Sequence, residues 1–207
     1  EKLSYQEAVE LSHFGAKVLY PPTVQPVLDK NIPIVIKNTL APKDSGTYIS
    51  NENPNGTSLA VKGISNIDNI ALLTLQGNGM VGIPGFSRRL FETLSQEKIN
   101  VIFITQASSE HSICIGISEK DANAAKVAVD KTFENEISLH KIDPIIVENE
   151  LAIIAIVGDN MKNHQGISGK MFSALGKNNV NIRAIAQGAS ERNISAVISK
   201  NDVKKAL

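Results

Sequence analysis

The sequence predicts an α+β fold made of two βαββαβ modules in tandem, and three observations predict it. The chain contains an internal duplication: residues 71–118 align on residues 152–199 without a gap, with roughly a third of positions identical. Each copy changes period in the same order, from a short apolar run to helical spacing and then to two further strand-like runs. The 207 residues suit two small cores better than one large one.

The elements follow in chain order. Ser4-Tyr5-Gln6-Glu7 is a capping box, in which the Ser4 hydroxyl accepts from the Glu7 N–H and the Glu7 carboxylate reaches back. Ala8, Leu11 and Phe14 continue one helical face, and Gly15 suits the helix end. Pro21-Pro22 breaks the chain before a second short helix. Ile32-Pro33-Ile34-Val35-Ile36-Lys37, bounded by Asn31 and Asn38, is a strand with no partner in the repeat. The polar stretch from Ser50 to Ser58 carries Asn-Pro and Asn-Gly pairs and reads as an exposed loop.

In copy one, the run IALLTL from Ile70 is a buried strand ending at Gly77. Phe86, Leu90, Phe91 and Leu94 then form one helical stripe, Val101 to Gln106 and Ser112 to Ile117 are strands, and Asp121 opens a helix carrying Ala122, Ala125, Val129 and Phe133. A last strand between Ser138 and Val147 completes a ferredoxin-like unit. Copy two repeats the order with LAIIAIV from Leu151, the stripe Ile167, Met171, Phe172 and Leu175, and strands at Asn181 to Gln187 and Asn193 to Ile198. Its second helix begins near Asn201, so its fourth strand must come from elsewhere, and the strand at 32–37 is the expected donor. That makes copy one an insertion within copy two. The resulting division is 1–27 as a helical connector, 28–65 as strand and loop, 66–148 as module one and 149–207 as module two. Glu1 in place of Met, and a helical pattern broken off at Leu207, read as the ends of a piece of something longer.

Composition excludes several classes. Lys plus Arg and Asp plus Glu stand at 21 each, so the basic footprint of a nucleic-acid binder is missing. The strand runs SICIGI and NISAVI lack the aromatics of an RNA-reading sheet. The single cysteine, Cys114, allows no internal disulfide and suits a reducing, cytoplasmic setting. No apolar run is long enough to span a membrane. His13, His111, His140 and His164 have no ligand spacing, so no metal site is expected. Ser109-Glu110 and Ser190-Glu191 lack a repeated base, which leaves turn bonding as their expected work and no catalytic constellation in the chain.

Gly77-Asn78-Gly79-Met80-Val81-Gly82 matches G-x-G-x-x-G, but copy two keeps only the first glycine and no acidic residue ends the next strand, which argues against a dinucleotide site. Both copies retain a glycine turn, a methionine (Met80, Met161), a second glycine (Gly85, Gly166) and then a helix start. Unpaired N–H groups there suit a small carboxylate; alternatively, the glycines merely let the chain approach the helix closely. Gln106 and Gln187 end the second strand of each copy, and an amide that donates and accepts suits a ligand with a hydroxyl or amino group.

SYQEAVELSHFGAKVLYPPTVQPV, IPIVIKNTLAPKDSGTYI, VKGISNIDNIALLTLQGNGMVGIPG, ITQASSE and GISGKMFSALGKNNVNIRAIAQGASERNIS together resemble the regulatory half of aspartokinases, with its paired ACT domains, over essentially the whole chain. The resemblance is strongest to the bifunctional aspartokinase/homoserine dehydrogenases. It implies a kinase domain before Glu1 that uses ATP and Mg, an NAD(P)-dependent dehydrogenase after Leu207 where one is fused, and no cofactor in this piece. It further implies a homodimer formed through the ACT modules and an end-product amino acid, threonine or lysine, held at their interface. Carried onto this sequence, the effector contacts are Met80, Gly85, Phe86, Val101, Ile102 and Gln106, with Gln187 as twin. Glutamines matching Gln106 and Gln187 go with threonine sensing in such relatives, whereas lysine-sensitive ones place an aspartate where Ile102 stands. The resemblance thus favours threonine over a lysine-responsive monofunctional enzyme. A purely dimerising module that binds nothing is the rival from another class.

Overall fold

The first residues fold as the capping box dictates. In the computed structural model, which describes residues 1–14, 19–51, 59–106, 111–162 and 164–207, strand β1 (Lys2–Ser4) runs straight into helix α1 (Tyr5–His13). The Glu7 N–H donates to Ser4 Oγ at 3.0 Å and the Ser4 N–H donates to Glu7 Oε2 at 2.9 Å. Helix α2 (Val24–Asp29) follows the double proline, and strands β2 (Ile34–Ile36) and β3 (Thr47–Ser50) complete a three-stranded sheet in the order β1-β3-β2. Tyr5, Ala8, Val24 and Ile49 form its buried core. Gly15, the expected end of the first helix, and residues 52–58 of the expected loop lie outside the described residues.

The remaining elements are β4 (Gly63–Gln76), α3 (Phe86–Gln96), β5 (Val101–Gln106), β6 (Ser112–Ser118), α4 (Ala122–Thr132), α5 (Glu134–Ser138), β7 (Ile146–Val157), α6 (Ile167–Lys177), β8 (Ile182–Gln187), β9 (Asn193–Ser199) and α7 (Val203–Ala206). Their strands make one six-stranded sheet in the order β5-β6-β4-β7-β9-β8. Two βαββαβ modules therefore share a continuous sheet, as the duplication requires.

The strand at 32–37 does not complete module two. Its residues 34–36 pair antiparallel with β3 instead, and Ile34 and Ile36 pack under α1 and α2. The fourth strand of module two is the first half of β4, where Gly63 to Ile67 pair with Val157 to Ile153. The second half of β4, Ile70 to Gln76, is the first strand of module one and pairs with β6. Strand β7 is divided in the same way: Ile146 to Glu148 pair with Thr74 to Leu72, and Leu151 to Val157 pair with β9. Each central strand is thus the last strand of one module and the first of the other. The joints are irregularities at matching places, where Asn69 (φ 58°) and Glu150 (φ 56°) take the left-handed conformation.

Alternation along these strands separates three cores. Leu73, Leu75, Ile113, Ile115 and Ile117 face α3 and α4. Ile154, Ile156, Ile194, Ala196 and Ile198 face α6. The opposite faces meet in an inter-module core of Ile70, Leu72, Phe103, Leu151, Ile153, Ala155, Val157 and Val197, and the outer strands β5 and β8 approach each other. Cys114 packs against this core, with Sγ 3.4 Å from Thr74 Oγ1. Among the described residues no helix is long and apolar enough to cross a membrane.

Candidate functional site

The loop after β4 is held by backbone. Gly77 N donates to His111 O at 3.0 Å and Gly79 N to Lys141 O at 2.8 Å. A Cβ on Gly77 would lie 2.4 Å from Ile142 Cα, and one on Gly79 would lie 2.6 Å from Lys141 Cβ. Two glycines of the G-x-G-x-x-G string are therefore explained by contact with the 141–142 segment. A 3-10 turn (Asn78–Met80) then buries Met80 in the module-one core.

Gly85 stands at φ 106° as N-cap of α3, and Gly166 at φ 82° as N-cap of α6. Among the described residues, no atom beyond the chain neighbours lies within 4 Å of a Cβ built on either, so conformation rather than crowding favours glycine at both. As N-cap, Gly85 has no side chain with which to cap α3, and the first N–H groups of an α-helix have no partner within it. They carry the positive end of the helix dipole and favour an anion.

Phe86 fixes the start of this helix. It is buried and stacks on Phe133 with ring centroids 5.6 Å apart. The Arg89 guanidinium lies 4.4 Å over the same Phe133 ring, forms an ion pair with Glu136, and donates to Thr132 O at 2.7 Å. Its hydrogen bond holds the Glu136 carboxyl below the usual range, and the same bond raises Arg89.

Between this helix start and the end of β5 lies a cleft of about 350 Å³, lined by Met80, Gly82, Ile83, Pro84, Gly85, Phe86, Ser87, Gln106 and Ile113. Four of the expected effector residues, Met80, Gly85, Phe86 and Gln106, come together there. Gln106 is exposed on the outer strand and is paired in register with Ile113. Val101 and Ile102 are elsewhere: Val101 packs against the module-one core and Ile102 against the inter-module core. Gln187 holds the matching place in module two, exposed on β8 opposite Ile194. Sequence reasoning passed over Ile83, Pro84, Ser87 and Ile113; the recurrence of Ser87 as Ser168 was the available signal. Ser109-Glu110 lies outside the described residues. Ser190-Glu191 sits in a turn, where Glu191 N donates to Gly188 O at 3.0 Å. Among the described residues no cluster of three or more His, Cys, Asp or Glu could hold a metal.

Comparison with known proteins extends this picture. Residues 73–133 and 154–207 match the family model described as ACT domain. The bifunctional aspartokinase/homoserine dehydrogenase of Haemophilus influenzae is 48% identical over 205 residues, which is 99% of this chain and 25% of that protein. The chain thus spans about a quarter of the length of the curated relatives it matches. Among solved structures, Clostridium acetobutylicum aspartate kinase superimposes with a TM-score of 0.86 at 33% identity, over 100% of this chain and 46% of that one. E. coli aspartokinase III in complex with lysine and aspartate, in the T-state, matches with a TM-score of 0.75 at 27% identity, over 100% of this chain and 44% of that one.

Proposed function

The chain belongs to the ACT domain family, and from that premise we propose that it is the amino-acid-sensing regulatory region of an aspartate kinase, in a protein of the bifunctional aspartokinase/homoserine dehydrogenase type. Phosphate transfer to aspartate with ATP and Mg, and the NAD(P)-dependent step of a fused dehydrogenase, belong to other parts of that protein. The ACT modules pair in a homodimer, and the protein works in the cytoplasm.

The observation that carries this reading is the module-one cleft. It lies at the lower end of ligand-pocket sizes, so it suits a small metabolite. At one side is the start of α3, whose N-cap glycine brings no capping side chain and which suits an α-carboxylate. At the other is the Gln106 amide, which can bond an amino group or a hydroxyl. Among the described residues that line it none is acidic, and Ile102 packs against the inter-module core. This composition favours threonine, whose hydroxyl asks for a neutral partner. The lysine-bound E. coli relative supports the lysine-responsive alternative.

A bound effector changes an activity elsewhere only through unequal affinity for two arrangements, a coupling of about 1–3 kcal/mol in typical cases. Calorimetric titration with threonine, lysine and methionine tests the reading. Heat with threonine alone, and a loss of affinity of about tenfold in Gln106→Ala, is expected. Absence of heat with all three, or undiminished binding by the variant, overturns it.

A further inference from the structure

Helix α1 lies between two bodies. On one side Tyr5 and Ala8 pack with Val24 and Ile49 of the three-stranded sheet; on the other, Leu11 and Phe14 reach the inter-module core. The 73–133 and 154–207 segments that match the ACT family leave this N-terminal unit outside the modules. Polar bonds join it to module two: Asn193 Nδ2 donates to Glu10 Oε2 at 2.7 Å, and Ser65 Oγ donates to Phe14 O at 2.5 Å.

The central bond is made by a buried charge. Glu7 is 1% exposed, and its two carboxylate oxygens serve different bodies. Oε2 accepts from Ser4 N at 2.9 Å, closing the capping box, while Oε1 accepts from Asp159 N at 2.9 Å. Asp159 begins the 3-10 turn (Asp159–Met161) that, in module two, takes the place of the cleft loop Asn78–Met80 of module one. A carboxylate is buried at reasonable cost only while charge-assisted bonds satisfy it. A movement of the module-two loop therefore either carries α1 with it or strips a buried anion of a donor.

We propose that Glu7 is a positioning residue, the joint through which the state of the module-two loop reaches the N-terminal unit and whatever it is attached to. The inference rests on the regulatory reading above. Glutamine is the informative substitution: it keeps the shape but offers a single acceptor, and its NH₂ group meets one of the two N–H donors head on.

The test uses the full-length protein with Glu7→Gln and Glu7→Asp. Threonine and lysine binding are measured by calorimetry, inhibition of phosphotransfer by initial rates, and the Asp159 amide by hydrogen exchange. In Glu7→Gln the Asp159 amide exchanges at least about tenfold faster and effector affinity stays within about threefold, while the effector concentration for half-inhibition rises about tenfold. Glu7→Asp, which keeps both acceptors on a shorter arm, recovers part of the inhibition. Inhibition that is unchanged, or that falls only in step with binding, overturns the proposal. If the parent protein binds neither amino acid, the regulatory reading has failed on its own. The joint is then judged by exchange: an Asp159 amide indifferent to Glu7→Gln overturns it, and an accelerated one upholds it.

Discussion

Module one and module two are the same backbone finished differently. Left-handed residues fall at matching places in both, at Asn69 and Glu150, Lys98 and Asn179, Gly85 and Gly166. In module one, α4 and α5 cover the sheet, and Ala125, Val129 and Phe133 are fully buried beneath them. In module two, Ile154, Ala196 and Ile198 are buried beneath α6, with Met171 and Phe172 packed against them. The helix starts also differ: where module one has Ile83 and Pro84, module two has His164 and Gln165. Duplication preserved the left-handed glycine at each helix start and the glutamine at each strand end, while the side chains just before the helix diverged.

The largest expected effects test whether the backbones are equivalent. Gly77→Ala drives a Cβ to 2.4 Å from Ile142 Cα, and Gly158→Ala drives one to 2.1 Å from Ala60 O. Each should cost on the order of 4 kcal/mol in chemical denaturation, because backbone rather than a flexible side chain must yield. A severe loss in one and a mild one in the other would break the equivalence. Next comes Phe133→Ala, which removes a fully buried ring with its Phe86 and Arg89 partners and should cost about 3–5 kcal/mol.

Leu94 and Leu175 hold matching positions on α3 and α6, and both are buried. Leu94→Ala and Leu175→Ala should each cost about 3 kcal/mol in chemical denaturation. A clear difference between the two losses would break the equivalence of the two helices.

The smallest effect is electrostatic. Glu136, on α5, has a folded-state pKa lowered by Arg89, so the pair contributes stability above the unfolded carboxylate value of about 4.3, and that contribution is lost as pH falls through the folded value. Glu136→Gln should remove this acid dependence from module one at a cost of about 1 kcal/mol or less near pH 7, since Arg89 is partly solvated. Urea midpoints measured across pH 3 to 7 check the sign.

Much of this was legible in the sequence because the duplication supplied an internal control. The capping box at Ser4, the helical stripes and the strands after them follow from local chemistry repeated twice. The fourth strand of module two was not legible because Ile34 to Ile36 are apolar and β-branched, whereas the stretch from Gly63 to Ile67 carries polar Ser65 and Asn66 side by side. Local propensity favoured the first; the register of a long shared strand decided for the second. In the candidate site, Gln106 and Gly85 were marked by recurrence. Ile83, Pro84 and Ile113 were not, since they line the cleft through loop path and strand register that no short motif records. Likewise, the Glu7 capping role could be read locally, but its bond to Asp159 joins residues far apart in the chain.

The central claim is that the start of α3 and the end of β5 close on a free amino acid. Backbone amide NMR of the chain titrated with threonine tests it most directly. The account predicts saturable shifts concentrated at Gly85, Phe86, Ser87 and Gln106, with the Gln106 side-chain amide among the largest. Shifts absent from these positions, or confined to residues of the three-stranded sheet, would contradict it.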